Sequence, residues 1–289
     1  MAMISTPSTN NPTTDIATTT SVVFDAAADF YDATRGFPAA VSEQVGEAMA
    51  DAIGERNARV LEIGVGTGRI ALPLVRRGFC LTGIDLSSPM LSKFQEKLRG
   101  EAADCASRLA LVRGDATQLP FPEATFDAVV EVHVLHLVPD WRRALDEMRR
   151  VLRPVNGVLL HGHSAGQHGS SDARTPWNEV RTRWRGILDE MGHHVDWVGA
   201  KSDEELLDAM RAEAREFKQL PRVEWTSTDS YARAFDMLAK RFFSDTWRVP
   251  EEIFTESVER LRAELKRKHP RPDETCEVEH AFHLSAARF

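Results

Sequence analysis

The stretch "LEIGVGTGRIALPL", residues 61–74, places glycines at three alternate positions, Gly64, Gly66 and Gly68, between an apolar strand-like run and a helix-like one. A turn of that kind turns backbone N–H groups and the positive end of a helix toward a ligand, with no Cβ to bar a close approach. Two kinds of ligand compete for it. The dinucleotide fingerprint G-x-G-x-x-G/A fails when counted from Gly64, because its last position is then Arg69, and passes when counted from Gly66 as "GTGRIA". Against it stands Glu62, which with the third glycine makes E-x-G-x-G-x-G. Pro73 lies among the helix-like residues that follow, where it forfeits a hydrogen bond and crowds residue 69, and it has no functional reading.

The elements that must position this turn are legible around it. From about Phe24 to Ile53 the apolar residues recur three and four apart, as in a helix. Strand-like "RVLEIG", "CLTGID", "RLALVRGD", "FDAVVEVHV" and "GVLLHGH" follow, with helix-like segments to Arg77, over "MLSKFQEKL" and over "WRRALDEMRRVL". Alternation with short connections predicts parallel strands joined by right-handed crossovers, a doubly wound α/β domain.

Four stretches, in order and in spacing, resemble the class I S-adenosylmethionine-dependent methyltransferases: the E-x-G-x-G-x-G turn, "GIDLSSPML", "GDATQLPF", and "FDAVVEVHVLHLVPDW" with "VLRPVNGVLL". The resemblance covers about residues 59–164. It implies a seven-stranded Rossmann-like methyltransferase sheet and S-adenosylmethionine as cofactor, with the methionine part against Gly64, Gly66, Thr67 and Gly68. It further implies that Asp85, 17 positions after Gly68, accepts both ribose hydroxyls. Asp115 would receive the adenine amino group, and the N–H of Ala116 would meet a ring nitrogen. Glu62, Leu86, Met90 and Glu131 join the cofactor set by the same carry-over. "FYDATRGFP", residues 30–38, is similar to the segment before the domain in the ubiquinone-biosynthesis-like branch, where Tyr31 and Arg35 would close over the cofactor. An electron-rich ring near a sulfonium and a guanidinium near a carboxylate suit those roles.

A methyl group on a sulfonium is already activated, so the protein mainly holds an acceptor in line with it, and orientation of that kind supplies roughly 7 to 11 kcal/mol. A base is needed in addition where the acceptor carries a proton. Candidates sit where strands four and five end, at the crevice of a doubly wound sheet: Glu131, His133 and His136 on one, His161 and His163 on the other. In similar methyltransferases the position of His133 faces the substrate, which makes it the candidate catalytic residue. His136, His163 and Trp177 are expected to line the substrate space. "EVHV" occupies the place of the N/D-P-P-Y/F signature of enzymes that methylate base amino groups, and His133 stands where arsenic-methylating members carry cysteine.

Beyond Ser164 the α/β rhythm breaks. Residues 1–20 read as a disordered tail, 21–164 as N-terminal helices and cofactor-binding core, and 165–201 as a helical lid insertion around "WNEVRTRWRGILDEM". Residues 202–227 return to the core with an amphipathic helix over 203–217 and the strand "RVEWTST"; 228–272 form a second helical insertion, and 273–289 a final antiparallel strand. A parallel sixth strand and an antiparallel seventh share the carboxyl edge of the sheet, so both insertions emerge beside the crevice. Five of six tryptophans lie in or next to them, either packing the lid or lining an apolar pocket. The basic run "RLRAELKRKHPRP", with Leu261, Glu264 and Leu265, reads as a solvated helix face.

Composition bounds the partners. With 36 basic and 44 acidic residues the net charge is -8, which opposes binding to nucleic acid or anionic lipid. Three scattered cysteines make neither a disulfide framework nor a metal knuckle, and no metal is expected. The first 20 residues lack a basic start and an apolar block, and no apolar run approaches the ~18 residues of a membrane span, so the expected setting is the cytoplasm. The expectation is methylation of a small-molecule metabolite. Its rivals are a non-catalytic cofactor-binding partner protein on the same fold and a protein side-chain methyltransferase.

Overall fold

The computed structural model describes residues 21–101, 103–165 and 175–289. The expected tail, 1–20, and part of the first insertion lie outside them. Five parallel strands follow the sequence: β1 (Arg59–Ile63), β2 (Cys80–Asp85), β3 (Leu109–Arg113), β4 (Ala128–Val132) and β5 (Val158–Ala165). The sheet is completed by β6 (Glu216–Gln219), β7 (Val223–Asp229) and β8 (Cys276–Arg288), in the order β3-β2-β1-β4-β5-β8-β6, with β7 also on β8.

The last position of this sheet, beyond β8, is divided. β8 is long enough to pair antiparallel with β5 on one side and, on the other, with β6 through Ser285–Arg288 and β7 through Cys276–Phe282. Pro221 lies in the break between β6 and β7; it has no N–H to give the ladder. The sequence reading recognised only β7 there. It also carried the preceding helix to Phe217, whereas the helix ends at Glu213 and Phe217 belongs to β6.

Both faces of the sheet are covered, which is why its central strands read as continuous apolar runs. Along β4, Ala128, Val130 and Val132 join the core beneath α2 (Ala39–Ile53), α3 (Ala71–Arg76) and α4 (Ser88–Leu98). Val129 points the other way, with Val112 and Phe126, toward α6 (Trp141–Val151) and α8 (Asp203–Glu213). A short α1 (Tyr31–Arg35) precedes α2, and α5 (Ala103–Ser107) precedes β3. The helix-like run from Phe24 to Ile53 is thus interrupted: Pro38 caps α2, and the chain before it is extended. Helix starts follow their side-chain caps, Ser87 accepting from the N–H of Met90, Asp140 from Arg143, and Ser202 from Glu205.

Pro73 now has an explanation. The regular helix after the glycines begins at Ala71, so Pro73 sits in its first turn, where a proline is tolerated; ahead of it the N–H of Leu72 already bonds the Gly68 carbonyl at 3.0 Å. The Pro73 ring packs on Gly46 of α2, where a Cβ would come within 2.6 Å of Pro73 Cβ.

The two insertions meet in one helical unit with its own core. α7 (Pro176–Glu190), α9 (Tyr231–Ala239), α10 (Ser244–Trp247) and α11 (Glu251–Lys268) bury Trp177, Trp184, Leu238, Phe254 and Leu261 among themselves. Trp184 is fully buried, and its Nε1 donates to Ser257 Oγ at 2.9 Å. No helix among the described residues is long and apolar enough to cross a membrane.

Candidate active site

The turn after β1 is built on three glycines in the left-handed region, Gly64 at φ +63°, Gly66 at +55° and Gly68 at +81°. Alternate residues all in that region explain why the pattern is G-x-G-x-G, since other residues pay for it. A Cβ at Gly68 would also lie 2.2 Å from the ring of Phe94, so this glycine lets α4 close on the turn. Asp85 ends β2 beside it. Its Oδ2 accepts from the N–H of Gly66 at 2.9 Å and its Oδ1 from that of Ser87 at 2.8 Å. Burial pushes the Asp85 carboxyl up against the downward pull of these two bonds, and the net shift is upward.

A cavity of about 90 Å³ lies over this turn, lined by Gly64, Gly66, Asp85, Leu86, Met90, Asp115, Ala116 and His133 among others. Asp115 spends one oxygen on a turn, Oδ1 accepting from both the N–H and the hydroxyl of Thr117, and still faces the cavity. The sequence reading missed the chain segment on the other side, where Ser21, Val22 and Phe24 form a wall. Val22 is tied there by its N–H to the carbonyl of Leu137 at 3.1 Å. A short apolar run after a polar stretch is all the sequence offers as a signal.

A second cavity, about 350 Å³, lies between this turn and the helical unit. Phe24, Tyr31, His133 and Leu137 line both spaces, so the two share a wall. Arg35 lines only the larger one. Its Nη2 donates to the carbonyl of Phe242 at 3.1 Å, its plane lies 4.0 Å over the ring of Phe243, and burial lowers its pKa to about 10. Arg69, not singled out as a site residue from the sequence, holds the carbonyl of Arg35 at 2.8 Å and lines the same space.

His133 itself has a left-handed backbone, φ +58°, and its Nε2 accepts from the N–H of Ser164 at 3.0 Å. That nitrogen therefore carries no proton. Burial, with Arg69 and His136 nearby, holds the imidazole well below its ordinary range, and it is neutral at physiological pH. His136 lines the larger cavity, its pKa lowered by burial.

Several expected site residues stand elsewhere. Glu131 lines neither cavity: Oε1 accepts from the N–H groups of Val134 and Leu135, and Oε2 meets His161 Nδ1 at 2.6 Å, its strand neighbour in register. One oxygen is thus spent on the loop that carries His133 and His136, and the other on β5. His163 is also away from the larger cavity, stacked between His161 and His283 at 5.3 and 4.9 Å. Trp177 stacks on Phe243 at 3.8 Å and lines a smaller space between the helical unit and β7 and β8. Among the six tryptophans it is Trp197, 41% exposed, that lines the larger cavity. Thr67 lines neither cavity: its hydroxyl donates to Asp32 Oδ1 at 2.6 Å, and Lys97 reaches both Asp32 and the Thr67 carbonyl, which pins α1 to the glycine turn.

Asp203, at the start of α8, faces His161 Nε2 at 3.6 Å and His163 Nε2 at 3.9 Å. Three potential metal-ligand atoms so come within 4.8 Å of one another, a grouping that the sequence spacing conceals. A proton already serves the group: burial alone would lower the pKa of His161, but Glu131 and Asp203 outweigh it and raise it to about 9. Burial lowers His163 to about 4, and the neighbouring imidazoles bring Asp203 down to about 2 against its own burial.

The glycine turn, an acidic residue at the end of each of the next two strands' loops, and a crevice at the carboxyl edge of the sheet define a nucleoside-binding α/β domain. Residues 61–160 match a family described as a methyltransferase domain, and the chain carries a class I S-adenosylmethionine-dependent methyltransferase domain. A phosphatidylethanolamine N-methyltransferase of Cereibacter sphaeroides is 38% identical over 125 residues, 43% of this chain and 60% of that protein. A demethylmenaquinone methyltransferase of Clavibacter sepedonicus is 32% identical over 145 residues, 48% of this chain and 56% of that protein. The chain thus spans little more than half the length of these relatives. The YcgJ protein of Bacillus subtilis shares the fold, with a TM-score of 0.53 at 17% identity over 85% of this chain and 99% of its own.

S-adenosylmethionine is the cofactor of such domains, and the residues present fit it. Among the described residues the smaller cavity carries carboxylates, Asp85 and Asp115, and no cationic side chain, which suits a nucleoside with hydroxyl and amino donors. Glu62, two residues before Gly64, is 3% exposed with Oε2 unpartnered, and burial pushes its pKa well up; a ligand N–H at the turn would satisfy it.

Proposed function

We propose that this protein transfers the methyl group of S-adenosylmethionine to a small-molecule acceptor held in the larger cavity, beneath a helical lid formed by α7, α9, α10 and α11. The observation that carries this reading is the shared wall: Tyr31 and His133 border both spaces, so an acceptor in one reaches the reactive end of a ligand in the other. When bound, the cofactor supplies a methyl group activated by its sulfonium. Asp85 and Asp115 hold its ribose and adenine, and the glycine turn receives its methionine part. Tyr31 offers a ring face to the positive sulfur.

His133 orients the acceptor as a neutral imidazole. With Nε2 committed to Ser164, it acts as a base only if that bond opens, so the main contribution is placement. The lid and residues 21–24 keep water from the reacting atoms. A cavity of about 350 Å³ suits a metabolite, and the matched segment, 61–160, is the cofactor half, so the acceptors in the relatives' names do not choose one here. The test is mass spectrometry of a metabolite extract incubated with the protein and S-adenosylmethionine. The expected result is a product heavier than its precursor by one methylene, together with S-adenosylhomocysteine. Formation of neither, by protein that binds S-adenosylhomocysteine, would overturn the catalytic reading.

A further inference from the structure

Charge is divided between the two cavities. Among the described residues, the smaller one has no cationic side chain in its wall. The larger one has six, Arg35, Arg69, Arg181, Arg185, Lys201 and Arg248, against three carboxylates, in a protein of net charge -8. Two of those carboxylates are already engaged. Asp245 Oδ2 is shared by Arg181 at 2.8 Å and Arg185 at 3.1 Å, and Asp203 faces the two histidines. Arg35, Arg69, Arg248 and Lys201 have no carboxylate in ion-pair reach among the described residues.

A buried guanidinium N–H left unpaired is costly, and two such donors here lack any partner: Nη1 of Arg35, a residue 8% exposed, and Nε of Arg185. The guanidiniums also repel one another. Arg69 and Arg181 lower the proton affinity of Arg35, and Arg181 and Arg248 lower that of Arg185, in each case after burial. Three of these arginines come from the lid rather than the cofactor-binding core.

We propose that the acceptor is an anion, a molecule carrying a carboxylate or phosphate group that the lid arginines Arg181, Arg185 and Arg248 bind in the larger cavity, Arg35 being left to the cofactor's own carboxylate. This rests on the methyltransferase reading and specifies its substrate class. Guanidinium forks match the planar oxygens of either group, and the anion satisfies the unpartnered Nε of Arg185 while relieving the repulsion. Arg185 also lies 4.8 Å over the ring of Trp197, so occupancy changes the surroundings of an exposed indole.

The experiment uses full-length protein saturated with S-adenosylhomocysteine, so that the cofactor's own carboxylate is already in place. Hexanoate, hexyl phosphate and hexanamide are titrated in, followed by calorimetry and tryptophan emission. At least one anion should bind about tenfold or more tighter than the amide, and more weakly as salt is raised. Which of the two binds identifies carboxylate or phosphate. Arg185→Met should weaken the anion about tenfold or more while S-adenosylhomocysteine affinity is kept, and Arg248→Met, which leaves Asp245 both its partners, serves if the first variant does not fold. Equal binding of amide and acid, no binding of either anion at millimolar concentration, or undiminished binding in the folded variants overturns the proposal. Failure to bind S-adenosylhomocysteine at all would instead defeat the reading on which it rests.

Discussion

Carrying the protein from about pH 6 to about pH 10 removes the proton that His161 shares with Glu131 and Asp203, and the fold should weaken measurably. The imidazole titrates at about 9 in the folded chain, against ~6.5 when unfolded, a raised value. Its stabilisation is therefore fully present below ~6.5 and is lost as pH rises through about 9. A difference of about 2.5 units at ~1.36 kcal/mol each amounts to on the order of 3 kcal/mol, a sizeable share of a typical ~5 to 15 kcal/mol. The side chain is 2% exposed, so solvent screens the pair little. Urea unfolding at a series of pH values, followed by circular dichroism, measures the loss. His161→Gln is the reference, because its stability should be lower near neutrality and nearly level across this window. A wild-type loss that persists undiminished in His161→Gln, or no wild-type loss at all, would refute the assignment of a proton to this site.

Asp85→Ala should weaken S-adenosylhomocysteine at least about tenfold in calorimetry, since hydrogen bonds to a charged group are worth ~1.5 to 3 kcal/mol. Once an acceptor is known, His133→Ala should lower turnover ~100-fold with cofactor affinity kept within a few fold. The wild-type profile should show no limb near pH ~6.5 from this histidine, because its pKa is lowered well below that value, and such a limb, abolished by the substitution, would return it to the role of general base. Trp184→Phe removes the donor to buried Ser257 Oγ at 2.9 Å and should cost ~1 to 3 kcal/mol in a thermal melt, with S-adenosylhomocysteine affinity retained.

The glycine-turn half of the candidate site was legible because its signals are local. Gly64, Gly66 and Gly68 report backbone conformations that only neighbours in sequence determine, and Asp85 and Asp115 stand at strand ends that hydrophobic periodicity locates. The alternation of strand and helix signals with short connections identified the doubly wound sheet. Pro73 looked anomalous only because the helix start was placed at the turn rather than at Ala71, a boundary that hydrogen bonding decides.

What the tertiary structure alone decided is how polar groups are spent. Glu131 has the type and position of a catalytic carboxylate, yet its oxygens are taken up by Val134, Leu135 and His161, the last a neighbour on the adjacent strand. His163 and Trp177 sit beside the crevice in sequence order but turn into ring stacks with His283 and Phe243, partners from β8 and the second insertion. The cationic wall of the larger cavity gathers Arg35 and Arg69 from the core with Arg181, Arg185 and Arg248 from two insertions. No period or motif links those positions, because their convergence depends on helices packing across the sheet edge rather than on any spacing along the chain.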